Sequence, residues 1–529
     1  LQHGWLPHHL RVIKRVAGST GRHTADRRVA LLWALLLVAL LAVALFDLQT
    51  ALPISDEYAR RWTIERLVAG HGLVLLGFSP NLLQTVEALP LALAGVDPRV
   101  WRLVLLPWPL VQGYFSWRLA VRLGASPFWA AVGAVCLTLT PLTLFLLTGF
   151  MTEVAFWAAW SALAYLAVVA VDEDRGWSAC TAVVGLAVLQ RQQAIAVVPI
   201  LSAWFLFKRR EIRDWRGDSR RLAPVWLAGV GAFAVDYFVH LAPSAPGGFA
   251  TPHFTWVGAV AVTLLNAPTQ LGLLLLPFAL ALLARREAPR RSVWEWVPAV
   301  VCGVALTYQV YVLATQQALI GYGLNPSHPW TDTSPAPRIL QLMAEVGALA
   351  SAFILFFHRR DLWAPRTLAG ARGLLVLMAL SQVAVIVGER VVLDRYFLAV
   401  AIPLVPIVAA AASRSGGVRH APVVAIGVLV AGLLTFLPAE QDFIAWLQAR
   451  DLAARRAYAA ASPWQVEAGF EADARYVWLP AKDDPTGALP GFVESPPRYV
   501  LLTVPRSDPR PGVEYDSLTP GKVIIVPYR

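Results

Sequence analysis

Apolar residues along this chain come in long unbroken stretches, not in alternation with polar ones. The first runs from 29 to 46, behind a basic, polar start that closes on Arg27 and Arg28. Further stretches lie near 99–121, 128–148, 153–171, 177–190, 194–207, 222–240, 256–283, 294–320, 338–357, 368–388, 395–413 and 420–437. Roughly 20 apolar residues carry a helix across a bilayer, and continuous runs exclude the period-two pattern of a β-barrel. The pattern predicts an α-helical polytopic membrane protein of about thirteen transmembrane helices. The first stretch has no small-residue cleavage site and is read as a retained helix, not a cleaved signal.

The connections between the stretches sort into two sets. Arg11–Arg28, Arg118 with Arg122, Lys208–Arg221, Arg285–Arg291, Arg359–Arg366 and Arg414–Arg419 fall in one. The other holds 47–98, 148–152, the turn at Arg191, 241–255, 321–337 and 389–394. Basic residues concentrate in the first set, which assigns it and the N-terminus to the cytoplasm. Asp172-Glu173-Asp174-Arg175 is acidic on that side, but acids weigh little in this rule.

An odd number of spans then puts the tail outside the cytoplasm. The expected organisation is a cytoplasmic segment 1–28, a membrane domain 29–437 with a first outer loop 47–98, and an extracytoplasmic domain 438–529. The tail turns charged, Pro-rich and alternating. Tyr499–Val504 and Lys522–Pro527 read as strands and 439–460 as an amphipathic helix, together a small C-terminal extracytoplasmic α+β domain.

Composition sharpens this picture. Apolar residues make up 57% of the 529 and charged residues 15%, against about 25% charged in an average soluble protein. A net charge of +11 would suit nucleic acid, but the basic residues follow the inter-helix connections, so no nucleic-acid partner is expected. Cys136, Cys180 and Cys302 all lie in apolar stretches and form neither a zinc spacing nor a disulfide framework. His71, Glu87, His253, His328 and Asp332 fall in outer loops without metal-ligand spacing, so no metal residues are assigned. Walker A, nucleophile-elbow, HExxH and dinucleotide patterns are missing from the sequence.

The candidate chemistry sits in the outer connections. Asp56-Glu57 opens the first outer loop, where two acids suit a general base and its partner. They equally suit a helix cap with Asp56–Arg60 and Glu57–Arg61 pairs at i, i+4. Glu153 starts the fourth stretch, as an ionisable site or as an acid favoured by the helix dipole. Arg191, beside Gln192, runs against the positive-inside trend; its guanidinium suits a phosphate at the membrane surface or a snorkelling anchor. Glu389-Arg390 and Asp394-Arg395-Tyr396-Phe397 form either a self-neutralising network or a second positive group facing an anionic ligand.

In order along the chain, these pieces resemble the GT-C glycosyltransferases, and within them the family 39 branch of protein O-mannosyltransferases and lipid A aminoarabinose transferases. Asp56-Glu57 resembles that family's acidic pair in the first outer loop. Thr152-Glu153 resembles its second acidic site, commonly Asp, and Arg191-Gln192 its arginine-containing turn. Asp394-Arg395-Tyr396-Phe397-Leu398, followed by Pro403, is similar to a stretch of many bacterial members. Val466-Glu467-Ala468-Gly469-Phe470-Glu471 is similar to a tail segment of theirs, with Ala472 where they have Trp. The resemblance spans about 29–413.

That resemblance implies an enzyme of the bacterial cytoplasmic membrane. Its donor would be a polyprenyl-phosphate sugar, its acceptor a lipid, glycan or protein hydroxyl, and its setting the membrane lipids. No cofactor is required; a divalent cation is compatible with the clustered acids, although this branch does not call for one. Asp56 is expected as general base, Glu57 and Glu153 as its acidic partners, and Arg191 with Arg395 as donor phosphate ligands. Gln192, Tyr396, Glu389 and Arg390 would support them. The rival is a transporter or flippase of a lipid-linked sugar. Transporters usually show repeated halves with midplane polar groups, whereas here no repeat is visible and the charges gather at one membrane face.

Overall fold

The computed structural model describes residues 19–49, 57–73, 82–208, 215–239, 255–283, 346–347, 349–352, 370–389, 394–414, 421–462, 465–467, 499–507, 509–515 and 521–527. The stretch read at 294–320, most of that at 338–357, and the tail segment from Ala468 lie outside the described residues.

Fourteen helices are considered below. They are α1 (Ser19–Asp47), α2 (Glu57–Val68), α3 (Leu82–Leu93), α4 (Pro107–Arg122), α5 (Pro127–Thr138), α6 (Pro141–Thr148) and α7 (Thr152–Glu173). Then come α8 (Trp177–Gln190), α9 (Val197–Lys208), α10 (Trp215–Val239), α11 (Trp256–Leu283), α12 (Ala371–Glu389), α13 (Asp394–Arg414) and α14 (Ala421–Ala460). Among the described residues, four helices are long and apolar enough to cross a membrane: Arg27–Leu45, Thr152–Glu173, Ala371–Gly388 and Arg395–Arg414. The count of thirteen is therefore not reproduced within the described residues.

Two of the expected spans are broken, and prolines account for both. The stretch 99–121 opens as a helical turn, Pro98–Trp101, passes through a 3-10 turn, Arg102–Leu105, and becomes α-helix only at Pro107. A proline at the first helical position costs nothing, because its missing N–H would be unpaired there anyway. The stretch 128–148 bends by 53° between α5 and the next helix. Pro141 cannot donate to the carbonyl four residues back, that of Leu137. Thr143 Oγ1, at 3.2 Å, and Gln112 Nε2, at 3.5 Å, donate to that carbonyl instead. Thr140 Oγ1 accepts from the Thr143 N–H at 2.9 Å and caps α6.

Burial separates the centre of the bundle from its rim. In both α7 and α13, 83% of the spanning window is buried, against 28% in α1. Leu31, Leu37, Val38, Leu41 and Leu45 of α1 remain exposed, as lipid-facing leucines and valines do in a membrane protein. α7 packs against α4, α8 and α13, and α13 also packs against α5, α11 and α12. The Trp160 indole N–H donates to the Ala399 carbonyl at 3.0 Å and ties the two central helices together.

The last helix departs from the expected boundary at 438. α14 continues unbroken from Ala421 to Ala460, so the apolar stretch 420–437 and the amphipathic stretch 439–460 are one rod of 40 residues. Neither glycine nor proline interrupts the junction strongly enough to end it, since Pro438 alone precedes a run of good helix formers. Its second half carries a four-stranded sheet of order β1-β2-β4-β3, made of β1 (Val466–Glu467), β2 (Tyr499–Pro505), β3 (Gly512–Tyr515) and β4 (Gly521–Pro527). β2 and β4 pair antiparallel with Val500 opposite Val526, and β1 joins β2 in parallel. Ala454 and Ala457 of α14 pack with Val466, Tyr499 and Leu501. Gln448 Nε2 of the same helix donates to the Gln49 carbonyl at 3.0 Å, which fastens the rod to the end of α1.

Candidate active site at the starts of two buried helices

The polypeptide enters α7 through a tight turn at Gly149-Phe150-Met151. Phe150 has φ of +47° although it is not glycine, and its side chain is fully buried. A left-handed phenylalanine stores backbone strain, held here by the packing of its ring. The turn delivers Glu153 into the first helical turn, where helix dipole and carboxylate attract.

Two arginines from distant parts of the chain converge on that carboxylate. Arg191 occupies an extended break, φ −152° and ψ 120°, between α8 and the 3-10 turn Gln192–Ala196. Arg395 lies in the first turn of α13. Arg191 Nη2 pairs with Glu153 Oε1, and Arg395 Nε lies 3.1 Å from the same oxygen. Thr152 Oγ1 donates to Oε2 at 3.4 Å. The Tyr396 ring serves both guanidiniums, with centroid distances of 5.7 Å from Arg191 and 5.9 Å from Arg395. The carboxylate keeps 2% exposure, while the arginines keep 17% and 19%. The acid is therefore sealed in the protein, while the two arginine side chains keep partial exposure.

A third cation comes from α2. Arg60 is fully buried, donates from Nη1 to the Met151 sulfur at 3.4 Å, and its charge acts on Glu153. On the same helix, Glu57 forms a second buried cluster. It accepts from Arg61 Nε at 2.6 Å, from Arg102 Nε at 2.8 Å and from Arg102 Nη2 at 2.9 Å. The two-pronged grip of Arg102 is the geometry that makes arginine–carboxylate pairs specific. One turn of α2 thus links the two acid–arginine clusters.

Neighbouring polar groups complete the surroundings. Gln190 Nε2 donates to the Thr152 carbonyl at 3.0 Å, while Gln192 donates to Asp236, a fully buried acid of α10. Glu87 of α3 accepts from the Trp108 indole at 3.4 Å, and burial pushes its carboxyl up to about 7. Asp97 is held at about 2 by the Arg99 side chain, which bonds it from Nε and Nη2 at 3.0 and 2.9 Å. Among the described residues no group of three His, Cys, Asp or Glu is placed to hold a metal ion.

The structure brings together Glu153, Arg191, Arg395 and Tyr396 of the residues singled out in the sequence. Gln192 adjoins them but bonds Asp236, and Glu57 sits in the separate cluster with Arg61 and Arg102. Asp56 and Arg390 lie outside the described residues, as do the side chains of Glu389 and Asp394. Arg102 and Asp236 escaped the sequence reading. Both stand inside stretches taken as apolar spans, and an ionisable group in such a stretch is itself the signal. Arg60 entered only as a capping partner of Asp56, since nothing local announces a contact with Met151.

Comparison with known proteins bears on the kind of protein this is. Residues 79–235 match the family model described as dolichyl-phosphate-mannose-protein mannosyltransferase. The match covers α3 to α10 and bears out the resemblance to the GT-C glycosyltransferases. The chain is accordingly an integral membrane protein similar to glycosyltransferases of that class. No curated protein matches it. Two crystal structures of ArnT from Cupriavidus metallidurans are similar in outline, one bound to undecaprenyl phosphate and one in the apo state. They show 16% and 15% identity at TM-scores of 0.42, with 96% of this chain and 98% of that chain covered in each. Likeness at that level carries no residue-by-residue correspondence.

Proposed function

We propose that this protein transfers a sugar from a polyprenyl-phosphate donor to an acceptor hydroxyl at the extracytoplasmic face of a bacterial cytoplasmic membrane. The observation that carries the reading is the meeting of Arg191 and Arg395 on one oxygen of buried Glu153, with Tyr396 beside both. A guanidinium offers five N–H donors in a fixed plane. Fixed by Glu153 on one edge, each arginine keeps a partly exposed side chain whose planar guanidinium suits a lipid phosphate. The family match supports the same donor chemistry, since its described members use a dolichyl-phosphate sugar.

The donor brings its own activation. The acceptor oxygen attacks the anomeric carbon, and the carbon–oxygen bond to phosphate breaks with its electron pair passing to the phosphate oxygen. Arg191 and Arg395 stabilise the charge gathering there. Asp56 takes the acceptor proton as general base, and a single displacement inverts the anomeric centre. Glu57, clamped by Arg61 and Arg102, fixes the backbone next to Asp56. Nothing in these steps needs an outer nucleotide or a cofactor.

The orientation belongs to this proposal as well. α7 is 22 residues long, about 33 Å at the helical rise. Its far end carries Asp172, Glu173 and Asp174, and Arg122, Arg175 and Arg221 neutralise that group. In this reading the pairs accommodate an acidic connection on the cytoplasmic side, with the Glu153 end and the C-terminal sheet outside.

Sugar transfer from a labelled polyprenyl-phosphate sugar by the purified protein, with Asp56→Asn alongside, tests the reading. Transfer by the wild type and its loss in the variant are expected. Lipid binding without transfer in the wild type would replace the enzyme with a flippase of a lipid-linked sugar.

A further inference from the structure

Charged groups account for a phosphate, but a donor also carries a sugar, whose hydroxyls both give and accept hydrogen bonds. Neutral amides and hydroxyls are the groups suited to it. Gln84 lies in the first turn of α3 and is fully buried, yet neither its Nε2 nor its Oε1 has a hydrogen-bond partner. Among the described residues no other amide side chain has both polar atoms in that state. Thr85 beside it is 2% exposed, and its hydroxyl is likewise unpartnered. A buried amide without partners costs free energy and calls for an explanation.

The position of α3 supplies one. Its buried residues are Gln84, Thr85, Ala88 and Ala92, so Gln84 leads an i, i+4, i+8 stripe on the packed face. α3 packs against α2, which carries Arg60, and against α8, which ends at Gln190. Gln190 is also buried and spends its Nε2 on the Thr152 carbonyl, next to Glu153, while its Oε1 has no partner. Three neutral side chains with unspent donors and acceptors thus lie on the two helices that pack together beside the arginine site.

We infer that Gln84 and Thr85, with the Gln190 side-chain oxygen, form the subsite that recognises the sugar of the lipid-linked donor. The assignment rests on the glycosyl-transfer reading. Arginines hold the phosphate and the neutral groups of α3 read the hydroxyls, so the two parts of the donor are recognised by different helices. Small alanines at 88 and 92 continue the stripe and let α3 sit close to its neighbours.

Isosteric substitutions separate this role from a structural one. The protein in lipid nanodiscs is tested for binding of polyprenyl phosphate bearing a hexose, a pentose or no sugar, as wild type and as Gln84→Leu with Thr85→Val. The wild type is expected to bind at least one glycosylated lipid more tightly than the bare one. The variant keeps its affinity for the bare lipid and loses about tenfold on the preferred glycosylated one, with an unchanged or raised Tm, because unpartnered groups have been replaced by apolar ones. An unchanged preference in the variant overturns the inference. So does a lowered Tm with equal weakening toward all lipids, which would mark Gln84 as anchored by ordered water. Equal wild-type affinity for all three lipids overturns it too. A wild type that binds none of them removes the glycosyl-transfer reading itself, and the subsite falls with it.

Discussion

Arg395 Nε stands 3.1 Å from Glu153 Oε1, joining the first turn of α13 to the first turn of α7. The pair is a hinge pin between the two most buried of the four spanning helices among the described residues, and Arg191 shares the same oxygen. An acid so placed both orders the guanidiniums and competes with any anion for them. Glu153→Gln keeps the shape and removes the charge. It is expected to lower stability by about 2–3 kcal/mol, because two cations lose a buried partner. The same change should tighten the binding of bare polyprenyl phosphate, which then meets no competing carboxylate. Thermal unfolding and lipid titration on one preparation check both; weaker lipid binding would show that Glu153 shapes the site more than it competes.

Arg191 and Arg395 differ in how much of the fold depends on them. Arg191 sits in an extended break outside any α-helix, whereas Arg395 is part of a central one. Arg191→Ala is therefore expected to raise the KM for the lipid donor by roughly 10–100-fold, the loss of one charge-assisted contact, with little change in Tm. Arg395→Lys should not restore function as a conservative change would, because an ammonium cannot keep the planar contact with Tyr396 while bonding Glu153. Steady-state kinetics across donor concentrations separate the two; an unaltered donor KM in Arg191→Ala counts against the phosphate role.

Glu87 gives the fold a pH dependence with a definite sign. Burial raises its carboxyl from 4.5 to about 7, against a smaller opposing effect of the Trp108 hydrogen bond. The folded state thus binds this proton more tightly than the unfolded chain does. The resulting stability is complete below about pH 4.5 and is lost as pH rises through 7. Tm measured from pH 5 to pH 8 should fall, and Glu87→Gln should flatten that fall. A slope identical in variant and wild type would locate the dependence elsewhere.

The sequence made the helices easy to see and their interruptions hard. Apolar runs at 153–171, 177–190 and 395–413 became α7, α8 and α13 almost residue for residue, since lipid leaves a backbone few alternatives to helix. The break at Pro141 depends on whether Gln112 and Thr143 can serve the Leu137 carbonyl, which is a tertiary fact. The same distinction runs through the site. Glu153, Arg191 and Arg395 stood out because each was charged at a point where the local pattern disfavoured it. Arg102 stood inside an apolar stretch and was absorbed into it, and only the fold carries it to Glu57. The uncharged Gln84 gave no signal at all, because an amide in a loop region is ordinary until its burial is known.

The sidedness of the whole arrangement is open to direct measurement through the far end of α7. Asp174 ends that helix in a left-handed conformation, accepts from Arg221 at 2.6 Å, and is partly exposed. Such a pair contributes little to stability, about 0–1 kcal/mol, so Asp174→Cys should fold normally. Cys136 and Cys180 are buried and will react slowly with an aqueous thiol reagent, and Cys302→Ser in the background removes the third native thiol. In sealed vesicles of known orientation, a membrane-impermeant maleimide should label Cys at 174 only from the cytoplasmic side. A cysteine at exposed Arg506, between β2 and β3 of the C-terminal sheet, should label only from the opposite side. Both labels on one side would require an even number of crossings between the end of α7 and the tail, and the C-terminal sheet would then lie across the membrane from the Glu153 end.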